Sequence, residues 1–113
     1  MVDRLTFERL VAQAMDGVPE PFASALAGVA VIVEDRAPAD DPGLYGLYLG
    51  APLDEPWAAE GGLPPMIAIY MYPLVHDCAT EDELVDEVRI TVLHELGHHL
   101  GMDEDDLEAL GYG

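Results

Sequence analysis

The stretch from Thr80 to Gly101 constrains this chain more than any other. Thr80-Glu81-Asp82-Glu83 has the form of a capping box: a hydroxyl to cap the first turn and an acid three residues on to reach back. Acids in that first turn also complement the helix dipole. Gly101 is placed to stop the helix. Leu84, Val85, Val88, Val92, Leu96 and Leu100 fill much of one half of the predicted helix. With His94 as zero, Glu87, Thr91, His98 and Gly101 fall within about 60° of it. The rest of the molecule must therefore pack on one side of this helix and leave the histidine side beside a cleft.

The remaining elements are shorter. Thr6 is the expected cap of a first helix whose apolar positions are Phe7, Leu10, Val11 and Ala14, with Gly17 as its stop. Pro19 and Pro21 open a brief second turn of helix from Phe22 to Leu26. The continuous apolar run from Val29 to Val33 reads as a buried central strand. Glu34 to Gly43, with its acids, two prolines and a glycine, reads as a loop. Leu44 to Leu49 is a second strand, interrupted by Gly46. Gly50 to Pro65, with four prolines and three glycines, reads as a long loop of the kind that more often serves function than mere connection. Met66 to Tyr72 reads as a third strand, placed at a sheet edge because prolines bound it on both sides. A brief last helix runs from Asp103 to Leu110. The expectation is an α+β fold with residues 1–113 as a single domain. A small mixed or antiparallel sheet would pack on the first helix and on the long one.

Composition narrows the function. Twenty-three acidic residues face only four basic ones, all arginine, for a net charge of −19. Such a chain repels phosphate backbones, and Arg4, Arg9, Arg36 and Arg89 assemble no basic patch, so nucleic acid is excluded as a partner. Anionic membrane surfaces are disfavoured for the same reason. No apolar run is long enough to span a bilayer, and the start lacks the layout of a secretion signal. The expected location is the cytoplasm, and the lone Cys78 agrees with a reducing compartment.

The chemistry gathers at His94-Glu95-Leu96-Gly97-His98. Residues four apart on a helix lie about 40° apart around its axis and one turn apart along it, so the two imidazoles can converge on one metal ion. Zinc suits such a site, although other first-row metals accept the same ligands. Glu95 is turned about 100° from His94, which keeps its carboxylate out of direct ligation but near a water that the ion activates. A catalytic zinc site needs a third protein ligand. Gly101 lets the chain turn back, and Glu104 or Asp103 could then supply an oxygen. Gly97 leaves room beside the site for backbone or substrate. His99 falls in the apolar arc and reads as a packed neighbour of the site. His76 reads as a loop residue, and Cys78 as a small buried one.

The run His94-Glu95-x-x-His98-x-x-Gly101-x-x-Glu104 resembles the metzincin pattern, whose last position is usually His or Asp. The whole chain is similar to a family of very small bacterial zincin-like metallopeptidases. That similarity runs through Phe7-Glu8-x-Leu10-Val11, Val29 to Glu34, Leu47-Tyr48, Ile69-Tyr70, Glu83 to Arg89 and Leu107-Glu108-x-Leu110-Gly111. The resemblance implies a pared-down zincin core. In it, His94 and His98 are ligands, Glu95 is the catalytic base, and the acid after Gly101 is the third ligand. It also implies a peptide or protein substrate lying along the sheet edge, for which Met66 to Tyr72 is the candidate. So small a chain offers little cleft wall, so a protein partner or a second copy is an expected helper. Two rival readings are a metal-binding protein without peptidase activity and an acidic module that binds a basic partner.

Overall fold

The computed structural model describes residues 2–50 and 65–112. The long proline-rich segment expected as a functional loop lies almost wholly outside the described residues.

Among the described residues five helices and three strands follow one another. Helix α1 spans Arg4–Asp16, α2 Phe22–Leu26, β1 Ala30–Glu34, β2 Gly46–Leu49 and β3 Met66–Tyr70. Then come α3 Met71–Asp77, α4 Glu81–His99 and α5 Glu104–Ala109. The sheet order is β1-β3-β2, with β1 parallel and β2 antiparallel to β3. The fold is thus α+β with a small mixed sheet.

Two strand expectations are corrected. Met66 to Tyr72 is not an edge strand. Its first five residues form the middle strand, and Ile67 to Tyr70 are all buried. Pro73 does not bound a strand but sits in the first turn of α3, where a missing N–H costs nothing. Conversely, Val29 to Val33 does not supply a central strand. Strand β1 pairs only with β3 among the described residues and is partly exposed along its length. The continuous apolar run here marks neither full burial nor a neighbour on each side.

The caps explain the helix limits. Asp3, not Thr6, caps α1, its carboxylate accepting from the Thr6 N–H at 2.8 Å. A carboxylate is the stronger cap at a positive helix end. Phe7, Leu10, Val11 and Ala14 are buried as expected. For α4, Thr80 Oγ1 accepts from Glu83 N at 3.1 Å, and the Glu83 carboxylate reaches back to Ala79 N at 2.8 Å. Gly101, at φ 81°, ends it in a Schellman turn, with Met102 N–H bonded to Gly97 O and Gly101 N–H to His98 O.

Helix α4 is the spine of the core. Leu84, Val85, Val88, Val92, Leu93 and Leu96 are buried with the apolar face of α1 and with Ile67 and Ile69 of β3. Each such side chain contributes on the order of 1.5–3 kcal/mol on burial. Among the described residues no helix is long and apolar enough to cross a membrane.

Candidate metal centre

The last two turns of α4 carry the cluster. His94 Nε2 and His98 Nε2 lie 3.3 Å apart, their rings edge to face at 4.9 Å between centroids. Glu104, the first residue of α5, brings Oε1 to 3.4 Å from His94 Nε2 and 3.1 Å from His98 Nε2. Three atoms bound tetrahedrally at zinc–ligand distances would lie about 3.3–3.5 Å from one another. The observed triangle has nearly those edges.

His94 Nδ1–H donates to the Tyr112 carbonyl at 2.8 Å, which leaves Nε2 directed at His98 and Glu104. One nitrogen of each imidazole and one carboxylate oxygen thus face a common point. The donor set, two imidazoles and a carboxylate, is one that zinc accepts.

Glu95 stands beside this triangle. It is only 8% exposed. Its Oε1 accepts from the backbone N–H of Tyr48 at 2.9 Å, and its Oε2 lies 3.7 Å from His94 Nε2. One oxygen is committed to β2 and the other faces the histidines. Burial pushes the carboxyl above its ordinary range, partly offset by the Tyr48 N–H and by the neighbouring His94 and His98.

Asp103 is differently employed. It caps α5, its Oδ1 accepting from Asp106 N at 2.8 Å while the Asp106 carboxylate accepts from Asp103 N at 3.1 Å. That box turns the Glu104 side chain toward the histidines. Helix α5 in turn is seated on α4 at Gly97, where an added Cβ would fall 2.2 Å from Leu107 Cδ2. The room expected at Gly97 for backbone or substrate is filled by Leu107, which is fully buried.

Sequence reasoning did not find two contributors. The Tyr112 carbonyl that orients His94 comes from a second Schellman turn, with Gly111 at φ 86° and Tyr112 N–H bonded to Leu107 O. The only local signal was Leu110-Gly111 at the end of a short helix. The Tyr48 N–H that holds Glu95 comes from β2, and no local pattern reports which backbone group a distant carboxylate meets. His99 is buried as expected, with Nδ1 2.9 Å from the Tyr48 hydroxyl, and burial lowers its pKa. His76 is exposed and pairs with Asp77, far from the cluster in sequence and contacts. Cys78 is a partly buried free thiol, pushed up in pKa by burial and by Glu87, Glu83 and Asp77.

A cleft of about 380 Å³ opens at the cluster, lined by Tyr45, Gly46, Glu87, Thr91, His94 and Glu95 among others. A larger cavity of about 840 Å³, mostly apolar, lies between the 36–43 loop and α3 and touches none of these histidines. Size alone would favour the second. The chemistry favours the first, because of the two it is the one lined by His94 and Glu95.

A sheet crossed by a long helix that carries a His-Glu-His cluster, with ligand atoms of all three side chains within 4.8 Å of one another, defines a zincin-like domain. The chain belongs to the Zincin-like metallopeptidase family, whose profile matches residues 26–113. Among solved structures it is similar to a conserved hypothetical protein from Thermus thermophilus. The two share 28% identity, with 96% of this chain and 97% of the other covered, at a TM-score of 0.57. No curated protein sequence matches it.

Proposed function

We propose that this protein is a zinc-dependent peptidase in which His94, His98 and Glu104 hold the metal and Glu95 is the general base. The observation that carries the reading is the triangle of His94 Nε2, His98 Nε2 and Glu104 Oε1, with edges of 3.1–3.4 Å, together with the free oxygen of Glu95 beside it. Asp103 is the weaker candidate for third ligand because its carboxylate is already engaged in capping α5.

When bound, zinc supplies Lewis acidity: it lowers the pKa of water toward ~7 and polarises a carbonyl. The chain's own residues do the rest. Glu95 Oε1 is anchored by Tyr48 N–H, so Oε2 is the oxygen that takes the proton of the attacking water. The same oxygen then delivers that proton to the leaving amine. A carboxyl raised by burial suits both halves of the transfer, since it holds a proton more readily than an exposed one. The Tyr112 carbonyl keeps His94 in the tautomer whose Nε2 is free.

The substrate class proposed is a peptide or protein segment in extended form. Strand β2 is the sheet edge beside Glu95 among the described residues, and it takes the place first assigned to Met66–Tyr72. Tyr70 N–H bonds to Tyr45 O, so Tyr45, Leu47 and Leu49 direct their backbone groups to β3, and Gly46 and Tyr48 turn theirs outward. An extended peptide approaching that side would pass over the His94–Glu95 pair.

The test is Glu95→Gln assayed on a peptide panel with metal loading followed in parallel. The mutant is expected to keep its metal and lose hydrolysis by a factor of about 100 or more. Hydrolysis at the native rate by a metal-loaded mutant would sink the assignment of the base.

A further inference from the structure

Three polar or charged residues are buried among the described residues: Thr91 at 7% exposure, Glu95 at 8% and His99 at 5%. They are spaced four apart on α4, so they form one slanted stripe beside the His94–His98 stripe. All three meet β2, at only two of its residues. Thr91 Oγ1 donates to Glu87 O at 2.8 Å, which turns its methyl toward β2, where Gly46 is so close that an added Cβ would lie 2.7 Å from it. Glu95 Oε1 accepts the Tyr48 N–H at 2.9 Å. His99 Nδ1 lies 2.9 Å from the Tyr48 hydroxyl, and the two rings are tilted at 5.5 Å between centroids.

Glu95 and His99 therefore grip one residue at both ends. The helix that carries the base also holds, one turn on, the group that fixes the strand on which the base leans. We propose that His99 and the Tyr48 hydroxyl are positioning residues: they hold β2 against α4 so that Tyr48 N–H takes Glu95 Oε1 and leaves Oε2 for proton transfer. Neither His99 nor the hydroxyl contacts the reacting atoms in this account. The inference rests on the peptidase reading for its catalytic consequence, but the clamp itself is a property of the fold.

The experiment compares wild type with Tyr48→Phe and His99→Phe. The first removes one oxygen and keeps the backbone N–H; the second keeps an aromatic ring and removes the nitrogen that meets the hydroxyl. Two quantities are read. One is the hydrogen-exchange rate of the residue-48 amide by NMR. The other is kcat and KM on a cleaved peptide. A lost neutral hydrogen bond is expected to change each sensitive quantity about three- to tenfold. The amide should exchange faster by that factor in both variants, and kcat should fall while KM and metal stoichiometry hold. The Tyr48→Phe/His99→Phe double variant should lose less than the sum of the two single losses, because both remove the His99–Tyr48 bond. His99→Gln, whose amide oxygen can accept from the phenol, should recover part of the loss.

Unchanged exchange at residue 48 in Tyr48→Phe would overturn the clamp, even if His99→Phe fails to fold. Faster exchange with unchanged kcat would overturn its positioning role. If the wild type cleaves no peptide while exchange still rises in both variants, the peptidase reading fails and the clamp stands.

Discussion

Replacing Gly97 by alanine puts a methyl group where Leu107 already sits. The added Cβ would lie 2.2 Å from Leu107 Cδ2, 3.1 Å from Cγ and 3.3 Å from Cδ1. Ordinary carbon contacts are about 3.5–4.0 Å, so α5 or Leu107 must move by more than ~1 Å. Leu107 is fully buried and its carbonyl holds the Schellman turn at Tyr112, so the whole short helix is the part free to shift. Overpacking of this kind costs about 1–3 kcal/mol, and replacing a mid-helix glycine by alanine returns about 1 kcal/mol. The net loss of stability is therefore small, on the order of 0–2 kcal/mol. The loss at the metal centre is larger. Helix α5 carries Glu104 and is followed by the Tyr112 carbonyl that orients His94. Ligand distances tolerate about 0.2 Å, so a shift near ~1 Å removes Glu104 from the triangle. Zinc affinity should fall at least about 10–100-fold, the range seen when only a supporting group is lost. Competition against a chromophoric chelator measures the affinity, and thermal unfolding of the metal-free protein measures the stability. Adding Leu107→Ala to Gly97→Ala should recover affinity while lowering the melting temperature further, since it reopens the space and leaves a cavity. Native zinc affinity in folded Gly97→Ala would refute the claim that Leu107 on Gly97 sets the position of Glu104.

The two acids after Gly101 should separate cleanly. Glu104→Ala should weaken zinc binding at least about tenfold with little change in the apo melting temperature, while Asp103→Ala should cost about 1 kcal/mol of stability through the lost α5 cap. The reverse ranking in a chelator competition would favour Asp103 as ligand. Glu95 makes a pH prediction. Its folded pKa is raised, so between the unfolded carboxyl value and the higher folded one the native state binds more protons, and stability falls as pH rises through that window. Metal-free Glu95→Gln should therefore melt above wild type at neutral pH, with the gap closing toward pH ~4, as read by thermal scans across pH. An equal gap at both ends would remove burial of the charge as the cause. Gly46→Ala should cost about 1–3 kcal/mol by pressing on Thr91 Cγ2 and on the Ala68 carbonyl 3.0 Å away, and Thr91→Ser, which deletes that methyl and keeps the hydroxyl, should recover part of it in chemical denaturation.

How far the sequence speaks depends on how local the signal is. The limits of α4 were legible because an N-cap threonine and a C-terminal glycine act within one turn of the residues they govern. The apolar face of α1 was legible for the same reason, and the mixed α+β architecture followed from the order of elements. Strand placement was not. Val29 to Val33 and Met66 to Tyr70 are both apolar, and which of them lies in the middle depends on pairings between segments far apart in the chain, such as Ala30 with Met66. Helix α3 was hidden because Pro73 reads as a strand stop until its place in a first helical turn is seen. At the site, the two histidines and Glu95 were legible from helical spacing alone. Their partners were not, since the Tyr112 carbonyl and the Tyr48 N–H are backbone groups of a kind found all along the chain. Gly97 shows the limit in one residue: its smallness was visible, but the side chain that needs it was not.

A metal centre formed by His94, His98 and Glu104 must show in the metal content of the protein. Protein purified without chelator is analysed by mass spectrometry for bound first-row metals, alongside His94→Ala prepared in the same way. One zinc ion per native chain is expected, and little in the mutant, whose triangle has lost a corner. Native protein that neither carries nor takes up metal, or a mutant that binds as much as the native chain, would contradict it.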